Sequence, residues 1–472
     1  MGYLFVGPFI HSKSFDDLEC IEEGFIAVDD DWVVDGSDND VTTCQIIGMG
    51  TAADLPSWRQ KQWTYEEIQL TKHQFLLPGF VDCHIHAPQM PNIGVGLSME
   101  LLDWLKNYTF PMEDQYKNSQ FAAYVYEKVV KRTLASGTTC ASYYGTNHKD
   151  GTLALAKECI KQGQRALVGK VSANQSTVDY YKETTEESIR ENKAFIDEVN
   201  ALNSDLVGVT ITPRFALSCD EQLLKELGKL AKEHNLNIQT HISENLGEIA
   251  EVKKVFNASN YASVYDAANL LTSKCVLAHG VHLEDEEIAL LKERGTSVAH
   301  CPSSNTNLQS GLCDVIRLRN GGVTVGLGTD IAGGSDVSIL TTIRDALAVS
   351  HHLNFAKKQE IKGTGSVSPE KDKQKKINKE YVPLNYKQAI YLATLGGAEA
   401  LNLSDKIGNF KVGKDFDALL IDVKADPIDV YEPSIAGIKD KPENLLERLQ
   451  KFIYTGDDRN IVKVFVKGNQ VK

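Results

Sequence analysis

The 472-residue sequence contains no C-x-x-C pair among its nine cysteines, Cys20, Cys44, Cys83, Cys140, Cys159, Cys219, Cys275, Cys301 and Cys313. An odd, scattered set in a long chain reads as reduced thiols and excludes a disulfide framework, which makes the cytosol the expected compartment. No run approaches the ~20 apolar residues of a membrane-crossing helix. The first residues, MGYLFVGPFIHSKSFDD, lack the basic start and long apolar stretch of a secretory leader. Gly2 invites acylation, but Val6 stands where Ser or Thr is wanted. Positive charge is also short. With 50 Lys+Arg against 64 Asp+Glu the formal net charge is −14, and a nucleic-acid partner, which needs clustered cations, is not expected. What remains is 42% hydrophobic and 24% charged residues, the balance of a globular enzyme-sized chain with room for one large domain and a smaller one.

The sequence is organised around FLLPGFVDCHIHAPQM, Phe75 to Met90. Pro78-Gly79 interrupts an apolar run, and ionisable residues follow at once. On a strand from Phe80 to His86, side chains alternate, so Asp82, His84 and His86 share one face. Two imidazoles at i and i+2 then stand close enough to hold one metal ion. A helix would turn them apart.

Upstream, residues to about Lys72 read as short strands and turns. Tyr3 to Ile10 and Gly24 to Val34 are β-rich, Asp29 to Asp31 reads as a turn or exposed edge, and Ser57 to Ile68 as a short helix. From Phe75 on, strands alternate with amphipathic helices, the pattern of βα units around a parallel sheet. The strands fall at Phe80–His86, Thr138–Tyr144, Ala166–Ala173, Val207–Thr212, Asn237–His241, Cys275–His279, Ser297–His300 and Val323–Thr329. Eight such units predict an α/β chain with a (β/α)8 TIM barrel at residues 75–400, whose site lies at the C-terminal strand ends. Strands at Ala418 to Asp422 and Ile461 to Val466 are expected to join the N-terminal ones, giving a smaller β-sandwich domain from residues 1–74 and 401–472. Residues 356–380 carry eight lysines among Gly, Ser and Pro and read as a surface insertion.

Five of the twelve histidines fall at the predicted strand ends. His84 and His86 end the first, His241 the fifth, His279 the sixth and His300 the seventh, with Asp330 after the eighth. A barrel gathers these ends although the chain separates them. Imidazole and carboxylate suit a divalent transition metal, zinc first and iron as the alternative. His84, His86, His241 and Asp330 can hold one ion with a position left for water, whose pKa a metal lowers from about 15.7 to about 7. Asp330 is a candidate proton acceptor and Glu244 a candidate proton shuttle. His300 is either a ligand or a residue that supports one. Asp82 sits deeper, in a supporting role. His351-His352 lies on a later helix and is read as unrelated, and Arg214, at the mouth after the fourth strand, is expected to meet substrate.

PGFVDCHIH, HISEN, LAHG, HCPSSN and GLGTD, in this order, resemble the metal-dependent amidohydrolase superfamily, and the likeness extends to the tail GNFKVGKDFDALLID. The longer motifs HIHAPQ, NYTFPME, KETTEESI, TPRFALSC, LGTDIAGG and YTGDDRNI resemble its guanine-deaminating members. The resemblance implies metal ligands at His84, His86, His241 and Asp330. It places Gln89, Arg214 and Phe215 against a purine, with Arg214 at the 6-oxo group, and His86, His241, Glu244 and Asp330 also facing that substrate. Glu244, Asp330 and His279 become the catalytic set. It further implies one zinc per chain, a homodimer, and hydrolysis of guanine to xanthine and ammonia.

The fourth strand, VGVTITPR, offers no lysine to be carbamylated into a bridging ligand, so a single metal is expected. The other deaminase signature, H-x-E followed by P-C-x-x-C, is absent. A related aminohydrolase acting on another purine, a pterin or a triazine is the rival within enzymes. A scaffold that kept only the barrel is the rival outside them, and the retained ligand set and Glu244 weigh against it.

Overall fold

A computed structural model describes residues 2–33, 41–61, 63–175, 178–362, 364–367, 381–430 and 444–472. Eight parallel barrel strands occur among them at Phe80–His86, Thr138–Tyr144, Arg165–Gly169 (extended by Val171–Ser172), Val207–Pro213, Asn237–Ile242, Cys275–His279, Ser297–His300 and Val325–Leu327. Each pairs with the next in chain order. The seam between the eighth and the first is joined by Asp330 N–H donating to His84 O at 2.9 Å. Asp82 reinforces it, accepting the N–H of Thr329 at 3.1 Å together with its hydroxyl. The expected (β/α)8 architecture is therefore present, with the strand limits within a few residues of those read from the sequence.

Short apolar runs make these strands because both faces are covered, outwardly by helices and inwardly by the barrel's own side chains. Helices Ser119–Ala135, Lys149–Gln162, Thr185–Asn200 and Glu221–Glu233 each alternate with a strand and turn buried leucines, valines or alanines towards it. Thr184 and Glu187 form a reciprocal capping box at the start of the third of these, and Asp220 caps the fourth. Within the barrel, Ser142 donates to Gln239 Oε1 at 2.6 Å, and Gln239 Nε2 donates to Thr212 Oγ1 at 3.0 Å. This polar layer lies on the strands that carry the candidate site.

The second sheet draws on both chain ends. Its strands run Asn469–Gln470, Ile461–Val466, Ala418–Asp422, Gln74–Pro78, Gly2–Ser12, Leu18–Val33 and Val41–Thr51, with Tyr65–Gln69 also paired to Gly2–Ser12. Alternation along Gly2–Ser12 sends Leu4 and Val6 to one apolar cluster and Phe5 and Phe9 to the other. The sheet curls round the second cluster, where Phe5 lies 4.9 Å from Phe416 and 5.4 Å from Phe465, ring to ring. Arg165, at the base of the third barrel strand, crosses to this sheet's domain by ion pairs to Asp415 (2.8 Å) and Asp417 (3.2 Å).

Three sequence expectations change. Asp29 to Asp31 is neither turn nor edge: these residues pair with Thr43 to Gln45 inside the long strand Leu18–Val33, and the edge is the following strand. Ser57 to Ile68 divides into a helix, Leu55–Arg59, and the strand Tyr65–Gln69. Pairing with Gly2–Ser12 outweighs the polar composition of the latter. The lysine-rich stretch begins inside the helix Ile339–Lys358 and continues as a hairpin of Glu360–Lys362 with Gly365–Val367, while residues 368–380 lie outside the described ones. No helix among the described residues is long and apolar enough to cross a membrane.

Candidate active site

The first strand sets the site. Asp82, His84 and His86 face away from Cys83, whose thiol donates to Gly397 O at 3.6 Å on the helix Leu395–Ala400. Asp82 Oδ1 also accepts the His84 N–H at 3.2 Å, so the supporting role expected of it is seen in the hydrogen bonds it makes. Burial, eased by these donors, holds the Asp82 carboxyl up at about 7. Gly328 allows the eighth strand to approach. A Cβ there would lie 2.8 Å from His84 Cβ and 3.0 Å from Cys301 Sγ, too close for any side chain.

The imidazoles converge at the C-terminal mouth. His84 Nε2 lies 3.1 Å and His86 Nε2 3.4 Å from Asp330 Oδ1, and His86 Nε2 lies 3.2 Å from His241 Nε2. His241 Nδ1 donates to the carbonyl of Arg214, which turns the lone pair of Nε2 inward. Burial drives the basicity of His86 and His241 well below the usual histidine range, so both are neutral and able to ligate. Burial would raise Asp330 too, but His84, His279 and His86 together outweigh it and hold the carboxylate ionised. The ring of Tyr144 packs against three of the histidines, with centroids 4.7, 4.5 and 5.1 Å from those of His84, His86 and His241.

This donor set fits one divalent cation. His84 Nε2 is buried with no hydrogen-bond partner, and two groupings, His84 with His86 and Asp330, and His84 with His241 and His279, have their ligand atoms within 4.8 Å of one another. A third grouping brings Cys301 beside His279 and Asp330. Burial raises the Cys301 thiol well above its usual range, so it stays protonated and is the poorest ligand of the group.

Backbone strain accompanies the chemistry. His279 and Asp330 adopt left-handed conformations, φ 75° and 48°, which side chains other than glycine rarely take. Ser243 does the same at φ 48°, turning the chain sharply out of the fifth strand. Glu244 stands in that turn, and Asn245 caps the helix Leu246–Val255. Glu248 locks the bend by accepting the N–H groups of Glu244 (3.0 Å) and Asn245 (3.3 Å) and the Tyr261 hydroxyl (2.8 Å). Glu244 accepts from Ser310 Oγ at 3.2 Å. Burial, with Asp330 adding to it and His279 opposing it, raises the Glu244 carboxyl to about 7.

A cavity opens above the histidines. His86, Gln89, Arg214, Phe215, His241, Glu244, His279 and Asp330 all line it, so the residues singled out for substrate or catalysis share one space. Its apolar walls are Leu101, Trp104, Leu105 and Leu308. His300 is neither at the cavity nor in any ligand grouping. It is buried with both ring nitrogens unpaired, and burial lowers its basicity to about 3. His351 and His352 lie exposed on the helix Ile339–Lys358.

Sequence reasoning missed Glu113, which is fully buried and ion-paired to Arg214 with an Nη2 to Oε1 distance of 3.1 Å. It also missed Asn305, whose Oδ1 accepts from His279 Nδ1 at 2.8 Å, and the apolar wall. Both residues stand in motifs that carry the resemblance, Glu113 in NYTFPME and Asn305 in HCPSSN, but the motifs alone do not say what either side chain touches.

Comparison places this architecture among known proteins. The model of the "Amidohydrolase family" matches residues 75–471. A guanine deaminase of Rattus norvegicus is 43% identical over 478 aligned residues, covering 100% of this chain and 97% of the relative. One from Dictyostelium discoideum is 39% identical, covering 99% and 98%. The crystal structure of a guanine deaminase from C. acetobutylicum with bound guanine superposes with a TM-score of 0.84 at 33% identity, covering 100% of both chains. The strand-end histidines, the barrel that gathers them and these full-length likenesses agree: the chain belongs to the amidohydrolase family.

Proposed function

We propose that this chain is a guanine deaminase, which hydrolyses guanine to xanthine and ammonia. The observation that carries this reading is the continuity of one cavity from the His-Asp cluster to Arg214, Gln89 and Phe215, in a chain that aligns end to end with guanine deaminases. The family is metal-dependent. We infer one zinc per chain, held by His84, His86, His241 and Asp330. A zinc ion so placed supplies water that ionises near neutral pH.

The protein's own groups carry the rest. Asp330, held ionised, accepts a proton from the water that adds to the carbon bearing the exocyclic amine. Glu244, poised at about 7, delivers a proton to the neighbouring ring nitrogen and takes part in returning one to the departing ammonia. His279 is held in place by Asn305, and its Nε2 lies between Glu244 (3.4 Å) and Asp330 (3.8 Å), so it can balance charge as protons move. Arg214 keeps N–H groups beyond those given to Glu113, and these suit the 6-oxo oxygen. Phe215 and the walls of Leu101, Trp104 and Leu105 exclude water from the flat purine faces.

No disulfide joins any of the nine cysteines, which suits a reducing cytosol, and the family resemblance supports a homodimer. Purified protein incubated with guanine should release xanthine and ammonia in equal amounts. Failure to turn guanine over with the metal loaded would overturn the assignment.

A further inference from the structure

Resting on that reading, we infer that Glu113 is a positioning residue which sets the direction of both polar side chains reading the purine, and so sets the preference for a 6-oxo over a 6-amino group. Its carboxylate is buried and accepts from three residues drawn from distant parts of the chain. Oε1 takes Gln89 Nε2 at 2.9 Å and Arg214 Nη2 at 3.1 Å, and Oε2 takes the Tyr181 hydroxyl at 2.6 Å and Arg214 Nη1. Among these contacts every partner is a donor and Glu113 is only an acceptor.

Two consequences follow. Arg214 is gripped in two-pronged fashion, and its guanidinium also lies 5.0 Å from the ring of Phe110. Phe110 and Glu113 belong to one short helix, Phe110–Glu113, so one element supplies both the ring and the carboxylate that meet the guanidinium. Gln89 is fixed in sense as well. Its Oε1 accepts the Ala332 N–H at 3.0 Å while its Nε2 gives a hydrogen to Glu113. A neutral amide at position 113 would offer one acceptor oxygen where two are needed. Either Arg214 would lose a partner, or Gln89 would turn over and set its own N–H against that of Ala332. Glu113 itself does not line the cavity, so it acts only through Arg214 and Gln89.

The test is steady-state kinetics on metal-loaded wild type, Glu113→Gln and Glu113→Asp with guanine and 2,6-diaminopurine, which differ at the 6-position and share the 2-amino group. Glu113→Gln should raise KM for guanine at least tenfold, lower kcat much less, and shrink the guanine to 2,6-diaminopurine ratio of kcat/KM at least tenfold. Glu113→Asp keeps the charge one methylene further back. It should raise KM less and recover most of the ratio. An unchanged KM and ratio in Glu113→Gln would overturn the inference. If that variant does not fold, Glu113→Asp decides: wild-type KM and ratio overturn the inference, and a KM raised several-fold with metal content intact upholds it. Absence of guanine turnover in wild type would instead sink the assignment on which this rests.

Discussion

Glu244 and His279 face each other across the floor of the cavity, with Nε2 of the histidine 3.4 Å from Oε2 of the carboxyl. Each biases the other's protonation. Burial drives Glu244 up and His279 opposes it, whereas for His279 burial is outweighed by Glu244, Asp330 and Asn305, which leave its basicity raised. A proton on either group is thus felt by the other, and both line the cavity.

Glu244→Gln tests where that proton is used. The amide keeps the shape and still hydrogen-bonds the purine, but it cannot deliver a proton. We expect kcat to fall about 10²–10⁴-fold, with KM and metal content close to wild type. Retention of most of kcat would transfer the role to His279.

The metal count follows from the donor set. Elemental analysis of active protein should give about one zinc per chain, since the candidate ligands gather in one cluster and the fourth strand has no lysine to bridge a second ion. Removal by a chelator should abolish turnover, and one equivalent of zinc should restore it. A requirement for two would overturn the single-ion site.

Arg214 and Glu113 make a stability prediction distinct from the kinetic one. Arg214→Met leaves a buried carboxylate without its cation, which costs about 3–5 kcal/mol in comparable pairs. Denaturant titration should show that loss. The double variant Arg214→Met with Glu113→Met should recover much of it, because two apolar side chains replace the pair. Guanine binding should remain impaired in both.

Lys414 provides a test remote from the site. It is nearly buried, donating to Ile407 O at 3.1 Å and to Asn409, and burial lowers its amine to about 8. In the unfolded chain it keeps its proton to about 10.4. Between these values the unfolded state binds more protons, so this group's contribution to stability rises with pH. Wild type should therefore gain stability relative to Lys414→Met between pH 8 and 10, by chemical denaturation. A constant difference across that range would contradict the shift.

Much of the barrel was legible because its strands are short apolar runs, several of them with a histidine or another ionisable residue at or just past the end. The alternation of Asp82, His84 and His86 could be read from spacing alone. Glu113 was not legible in that way. Its partners Gln89, Tyr181 and Arg214 come from three other segments, and only the fold brings four donors to one carboxylate. The strand Tyr65–Gln69 escaped for a related reason: Tyr-Glu-Glu-Ile-Gln carries little β signal, and its pairing with Gly2–Ser12 holds it extended. The acidic run Asp29 to Asp31 misled because charge marks turns on average, whereas here a neighbouring strand takes up the backbone hydrogen bonds. His300 shows the limit from the other side, since a histidine at a strand end proved to stand apart from the ligand cluster.

The sheet built from both chain ends imposes an order on synthesis. Gln74–Pro78 gains its outer neighbour, Ala418–Asp422, only after the whole barrel has been translated. At about 5–20 residues per second the ribosome takes tens of seconds to supply it. Through that interval the nascent chain carries Phe75, Leu76 and Leu77 on an open strand edge, the kind of surface that recruits other strands. Demand for chaperones should therefore last until Ala418–Asp422 has emerged, and its pairing with Gln74–Pro78 is the event that ends it.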